Sequence, residues 1–428
     1  MALRRRRQLQ LEQHFETGAS TIGSLPDDLL AKCFSQLEQE DLLCRAALVC
    51  RRWFEISTRP ELVRQVEFSS YGRAGAATLR AAQALLLWLH QHGQAVGRLK
   101  VAMGLENLSE TELAELMSLL DSWLAVCGGR LERLDVLFEE NVTVGGWIAA
   151  MPRLTDLTLA PLLTLTTWVT LERLTSLQRL HLGAYEWELD TAVSLPASLT
   201  CLRIESHTTP EMPHQLAAAS LSNLRSLQFF SVGYTSASMA GLTQLSALQH
   251  AAFEACELPS TLAEMTGLEV LEIDCRMEPA GAFTASLDSA LAQLTQLTGL
   301  CLDWMPAASA ALPSLAALSQ LNWLYLRPMA AIQAPPTAEE AELLRSATLP
   351  IGPWQRSLQQ LVTTFPLVRH SLPFLGGAEQ LQRITFMQPP ASQRGGEAEW
   401  CASTPAFAIV RWPYTLSCDI PIRYGLQM

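Results

Sequence analysis

Two stretches, LQRLHL at residues 177–182 and LTCLRI at residues 199–204, decide the reading of this chain. Both fit the template L-x-x-L-x-L. Its last two apolar positions alternate with polar ones, as in a strand with one buried face. The template recurs at Leu131/Leu134/Val136, Leu154/Leu157/Leu159, Leu224/Leu227/Phe229, Leu248/Ala251/Phe253 and Leu268/Leu271/Ile273. It returns at Leu297/Leu300/Leu302, Leu321/Leu324/Leu326 and Leu381/Ile384/Phe386, with a weaker member at Leu358/Leu361 where Thr363 takes the third site. From Leu131 to Leu321 the first leucines stand 20 to 29 residues apart. Amphipathic helices space their leucines by three and four and keep no longer period. A fixed period in this range predicts stacked strand-and-turn units, each burying its leucines against its neighbours.

Stacking turns the outward residues of each strand into columns about 4.8 Å apart. One column reads Leu137, Ala160, Gly183, Glu205, Phe230, Glu254, Asp274, Asp303, Arg327; the next reads Asp135, Thr158, His181, Arg203, Gln228, Ala252, Glu272, Cys301, Tyr325. Carboxylates gather at Glu205, Glu254, Glu272, Asp274 and Asp303, and Trp323 and Tyr325 are expected as exposed aromatics beside Arg327. Together with Phe230 these form a candidate surface for a protein target carrying a basic segment; a plain solvated face is the alternative.

The array has recognisable ends. Val66-x-Phe68 and Leu99-x-Val101 read as strand cores, and segments 77–92 and 109–127 as helices. Leucine pairs such as Leu242/Leu245, Leu291/Leu294 and Leu315/Leu318 suit a helix or turn on the opposite side. Residues 328–353, with five prolines and the acidic Glu339, Glu340 and Glu342, interrupt the period as a loop insertion. Residues 388–428 lose the repeat and are expected to cap the array.

Residues 25–57 read LPDDLLAKCFSQLEQEDLLCRAALVCRRWFEIS. Pro26 suits a first helical turn, Ser24 a cap before it, and Asp27 and Asp28 the positive end of the helix. Leu29, Leu30, Cys33, Phe34 and Leu37 make one apolar stripe. Asp41 is expected to cap a second helix, and a third is expected to run from Ala46 to Ile56. Three short helices cannot enclose that many large apolar groups, so some must face a partner or the following domain.

The order Leu25-Pro26, Leu29-Leu30, Phe34, Leu37, Asp41-Leu42 and Val49-Cys50-Arg51-Arg52-Trp53 resembles the F-box family, and the later template resembles leucine-rich repeats. The order of the two is that of the F-box/leucine-rich-repeat subfamily. The resemblance implies an α/β fold: a three-helix F-box, then a solenoid with parallel strands on its concave face and helices or turns on its convex face. It implies a non-catalytic substrate receptor that docks a Skp-type adaptor, and through it a cullin–RING ubiquitin ligase. By position the adaptor contacts would be Leu25, Pro26, Leu29, Leu30, Phe34, Leu42, Val49, Cys50 and Trp53. Cys33 stands where the family carries a branched aliphatic. The repeat Asn/Cys position after each strand is mostly lost, with Cys256 a surviving match. The expected segments are a basic tail at 1–21, the F-box at 22–66, repeats at 67–387 and the cap at 388–428. A repeat scaffold, for instance on the cytoskeleton, with its F-box reduced to a cap, is the alternative; it would bury Leu25, Leu29 and Phe34 against the first repeat.

Composition narrows the classes. The 428 residues are 49% hydrophobic, 17% charged, and carry a formal net charge of -12. Nucleic-acid binders show a basic footprint, and only Arg4 to Arg7 supply one. The ten cysteines form no CxxC and no zinc spacing, which suits a reducing compartment, cytoplasm or nucleus. No metal or cofactor is implied. No secretory signal and no membrane span is read. No nucleophile elbow, Walker loop or HExxH occurs, so no enzyme activity is expected. His181 and His250 are read as exposed strand histidines.

Overall fold

The computed structural model describes residues 22–37, 39–72, 74–104, 108–143, 151–164, 168–184, 195–206, 221–230, 240–254, 261–274, 280–305, 313–328, 349–364, 378, 380–387 and 408–412. The basic tail and most of the Pro-rich insertion and cap lie outside them. The chain divides into two compact units, residues 1–139 with 150–154, and residues 140–149 with 155–428.

The first unit opens with a 3-10 turn at Ile22–Ser24, followed by α1 (Asp27–Phe34), α2 (Gln39–Cys44), a 3-10 turn at Ala46–Leu48, α3 (Arg51–Ser57) and α4 (Pro60–Val63). Three local expectations are corrected. Ser24 closes the 3-10 turn, and Pro26 is the cap of α1, with no side-chain capping bond. Asp41 lies inside α2 and pairs with Arg45 one turn on, at 2.7 Å, instead of capping. The third helix is broken, because Cys50 is extended (φ -162, ψ 168) and serves as the cap of α3.

Strands β1 (Gln65–Ser69), β2 (Arg98–Met103) and β3 (Arg133–Thr143) pair in parallel. Helices α5 (Gly75–His92) and α6 (Glu110–Cys127) connect them, matching the expected segments. Sequence dictates where α6 starts. Ser109 and Glu112 form a reciprocal capping box, with the Ser109 N–H donating to Glu112 Oε2 at 2.9 Å. Trp123 of α6 is fully buried, donates its indole N–H to the Ala82 carbonyl of α5 at 3.2 Å, and meets Phe68 of β1 edge-on at 5.0 Å.

The second unit repeats one turn of backbone. Its strands are β4 (Asp156–Thr164), β5 (Arg179–Ala184), β6 (Cys201–Ser206), β7 (Ser226–Phe230), β8 (His250–Glu254) and β9 (Val270–Asp274). They continue as β10 (Gly299–Met305), β11 (Trp323–Pro328), β12 (Gln360–Thr364), β13 (Arg383–Met387) and β14 (Ala408–Trp412), each parallel to the next. The template leucines are buried throughout, and Thr363 fills the same position in β12 at 0% exposure. The pairs Leu242/Leu245, Leu291/Leu294 and Leu315/Leu318 are buried too, in or beside short 3-10 turns and α7 (Ala280–Leu291). Stacking has a backbone cause. The residue just before each strand donates its N–H to the carbonyl of its counterpart one repeat earlier: Gln178 to Thr155, Thr200 to Gln178, Arg225 to Thr200 and Gln249 to Arg225, at 2.8–2.9 Å. The fold is therefore an α/β leucine-rich-repeat solenoid behind a short helical module. The expected cap is not wholly non-repeat, because β14 lies inside it and extends the strand pairing. No described helix is long and apolar enough to cross a membrane.

Candidate functional site

Two surfaces answer to the sequence-level candidates. The first is the helical module. Leu30, Ala31, Phe34, Leu42, Ala46 and Ile56 form one buried cluster, flanked by Leu25, Leu43, Trp53 and Leu62. Phe34 meets the half-buried Trp53 edge-on at 5.0 Å. The two motif pieces that define the resemblance meet in space. Arg52 donates to the Leu25 carbonyl, and its Nη2 and Nε lie 2.7 Å and 2.9 Å from Asp27 Oδ1. Arg59 adds contacts to Asp28 at 3.2 Å and Asp27 at 3.4 Å. Exposed arginine pairs of this kind are worth little singly, but here they converge on one helix start.

Around that closed core stand exposed apolar groups. Leu29 is 46% exposed, Val49 61% and Leu48 77%, with Leu37 and Phe54 also exposed. Pro26 and Cys50 are exposed and Leu25 is half-buried. Leu30, Phe34 and Leu42, expected among the contacts, are instead buried in the module's own core, where they hold the exposed groups in place. Leu48 is the group sequence reasoning passed over; it follows two small alanines in a turn that carries no periodicity.

The second surface is the outward strand face of the second unit. Pairing bears out most of the two columns: Thr158↔His181↔Arg203↔Gln228↔Ala252↔Glu272↔Cys301↔Tyr325 in one, and Gly183↔Glu205↔Phe230 and Glu254↔Asp274↔Asp303↔Arg327 in the other. It also reveals a third, Asp156↔Arg179↔Cys201↔Ser226↔His250↔Val270↔Gly299↔Trp323. The expected acidic stripe is not uniformly solvated. Glu205 pairs with Arg203, whose Nε lies 2.7 Å away, and His181 Nε2 stands 3.4 Å from its other oxygen. Burial alone would raise the Glu205 carboxyl, but His181 and Arg203 outweigh it and bring it down to about 2. Asp303 is 4% exposed, and Glu254, Glu272 and Asp274 are half-buried. Trp323 and Tyr325, expected as exposed, are half-buried; the side chain of Arg327 lies outside the described residues.

His250 is buried, contrary to expectation. Its Nδ1 lies 3.1 Å from Ser226 Oγ and its Nε2 3.1 Å from Glu272 Oε1. Ser226 is 3% exposed, so this Ser–His–Glu chain ties β7, β8 and β9 together with its hydroxyl screened from solvent. Among the described residues no group of three or more His, Cys, Asp or Glu could hold a metal ion.

An F-box-like family model matches residues 22–69. No curated protein matches the chain. Among solved structures, an internalin from Listeria monocytogenes is similar at 17% identity and a TM-score of 0.36, over 73% of this chain and 95% of its own. A leucine-rich-repeat protein from Leptospira interrogans is similar at 17% identity and a TM-score of 0.35, over 76% of this chain and 82% of its own.

Proposed function

We propose, for a chain that joins an F-box-like module to leucine-rich repeats, that it is the substrate-recognition subunit of a Skp–cullin–F-box ubiquitin ligase. One observation carries this reading. The module completes its own core and still presents Leu29, Leu48, Val49 and Phe54 to solvent. Exposed apolar groups concentrated on one small module mark a protein interface. A module serving only as a cap would have spent them on the first repeat. The adaptor would dock on this surface, with Leu25, Pro26, Cys50 and Trp53 at its margins. The strand face of the repeats would hold the target. The chain would contribute proximity, turning a bimolecular ubiquitin transfer into an effectively intramolecular one. We place it in the cytoplasm or nucleus, where that machinery works.

Co-purification with a Skp-type adaptor tests the reading. The native chain is compared with Leu29→Asp plus Leu48→Asp, both at exposed positions that leave the core intact. The double variant should lose adaptor affinity by about 30-fold or more, the roughly 2 kcal/mol of an interface hot spot. A native chain that ignores the adaptor, or a variant that binds as well as the native chain, refutes it.

A further inference from the structure

The start of α1 has no local fastening. Its cap is Pro26, which makes no side-chain capping bond and carries no N–H. The Leu29 and Leu30 N–H groups both donate to the Pro26 carbonyl at 3.0 Å, which leaves the Leu25 carbonyl outside the helix's own ladder. Its donor lies 27 positions along the chain. Arg52, in the first turn of α3, donates through Nη2 to that carbonyl, and the same Nη2 and its Nε reach Asp27 Oδ1 at 2.7 Å and 2.9 Å. Arg59 meets the other Asp27 oxygen at 3.4 Å.

The strength of this tie lies in the carbonyl. An exposed ion pair such as Arg52–Asp27 contributes little by itself. The bond to Leu25 is charge-assisted and partly buried, and it grips backbone, which has less freedom than a surface side chain. The planar guanidinium serves both acceptors with little further loss of rotamer freedom.

Each end of the tie stands beside exposed apolar groups. Pro26 and Leu29 lie at its α1 end. Leu48 and Val49 lie at its α3 end, immediately before Cys50, the extended cap of that helix. The Phe34–Trp53 contact packs α1 at its far end, and a helix start that is not held frays.

We propose that Arg52 is a positioning residue for adaptor docking: by tying the first turn of α1 to the first turn of α3, it fixes the spacing between Pro26 and Leu29 on one side and Leu48 and Val49 on the other. The role rests on the adaptor-docking reading of the module and assigns the residue that sets the geometry of that surface.

A double-mutant cycle on the full chain, read as adaptor affinity by isothermal titration, tests it. Arg52→Met keeps much of the apolar stem and removes the tie. It should weaken adaptor binding by about tenfold, the size of one charge-assisted bond. Leu29→Ala should cost about tenfold in the native chain and no more than about threefold beside Arg52→Met, because a side chain no longer held in place has less to lose. Arg52→Lys keeps the charge but not the fork, and should bind within about threefold of the methionine variant. Hydrogen exchange supplies a readout without the adaptor. In Arg52→Met the Leu29 and Leu30 amides should exchange at least about threefold faster, while the Phe54 amide, bonded to the Cys50 carbonyl, is unchanged. Should the methionine variant fail to fold by circular dichroism, Asp27→Asn, which weakens the tie from its other end, takes its place in both measurements. Additive effects in the cycle, full recovery by lysine, or unchanged exchange overturn the inference and leave native adaptor binding, and with it the ligase reading, in place. A native chain that ignores the adaptor overturns the ligase reading and the docking role together, and faster exchange then marks the tie as structural only.

Discussion

The helical module and the repeat strands treat apolar side chains in opposite ways. Of the nine large hydrophobic residues exposed among those described, six (Ile22, Leu29, Leu37, Leu48, Val49 and Phe54) lie in the module, and the second unit contributes only Ile351. In the repeats nearly every template leucine is buried, and the outward columns are polar, charged or aromatic. The module thus leaves apolar surface exposed, which the proposed adaptor would cover. The described strand face of the second unit has little in surplus, so on the proposed function its selectivity would come from charge, hydrogen bonding and aromatic faces. On the proposed function, one half would supply affinity for a fixed surface and the other discrimination.

The sharpest test of this contrast substitutes one large apolar group in each half. Leu300 is fully buried between Leu271 and Leu324 on adjacent strands. Leu300→Ala should cost about 2–5 kcal/mol in urea denaturation, through lost transfer energy and an unfilled cavity. Phe54→Ala should change stability by no more than about 0.5 kcal/mol and show its effect in adaptor binding instead. Equal destabilisation by the two would break the comparison.

A smaller effect is expected at Gly299→Ala. Its methyl group would displace the Trp323 indole, an overpacking that costs about 1–3 kcal/mol. Urea denaturation should show the loss, while adaptor binding stays unchanged.

The smallest effect is pH-dependent. Glu205 is held at about 2, below the ordinary 4.5. Its contribution to stability is therefore complete above about pH 4.5 and is lost as pH falls toward about 2. Glu205→Gln removes that contribution. Urea midpoints at about pH 5 and about pH 3 should differ less in the variant than in the native chain. An unchanged acid limb would mean that His181 and Arg203 do not hold the carboxylate as described.

The repeat phase was readable because a two-residue alternation and a period of 20 to 29 residues are carried by leucine itself. It fixed which residues face outward, and strand pairing agrees from Thr158 to Tyr325 in one column and over Gly183–Phe230 and Glu254–Arg327 in the other. What escaped was lateral contact. Nothing local to Ser226, His250 or Glu272 announces that they bond across three strands, because the residues are 24 and 22 positions apart and only register unites them. Likewise, a glycine at 299 reads as a weak strand residue until the Trp323 ring is seen against it. In the module, helical periodicity marked the apolar stripe but could not divide it. Leu30 and Leu29 are neighbours in sequence, yet one is fully buried and the other half exposed.

Thr363 gives the array a seam. Its hydroxyl occupies a site that other strands fill with valine, leucine, isoleucine or phenylalanine, and Oγ1 has no hydrogen-bond partner among the described residues. A buried, unsatisfied hydroxyl costs about 1–3 kcal/mol. In a stack where each unit leans only on its neighbours, one weak unit lowers the cooperativity that links the two sides. Strands β13 and β14 would then open as a separate foldon, exchanging their amide hydrogens ahead of β5 to β11.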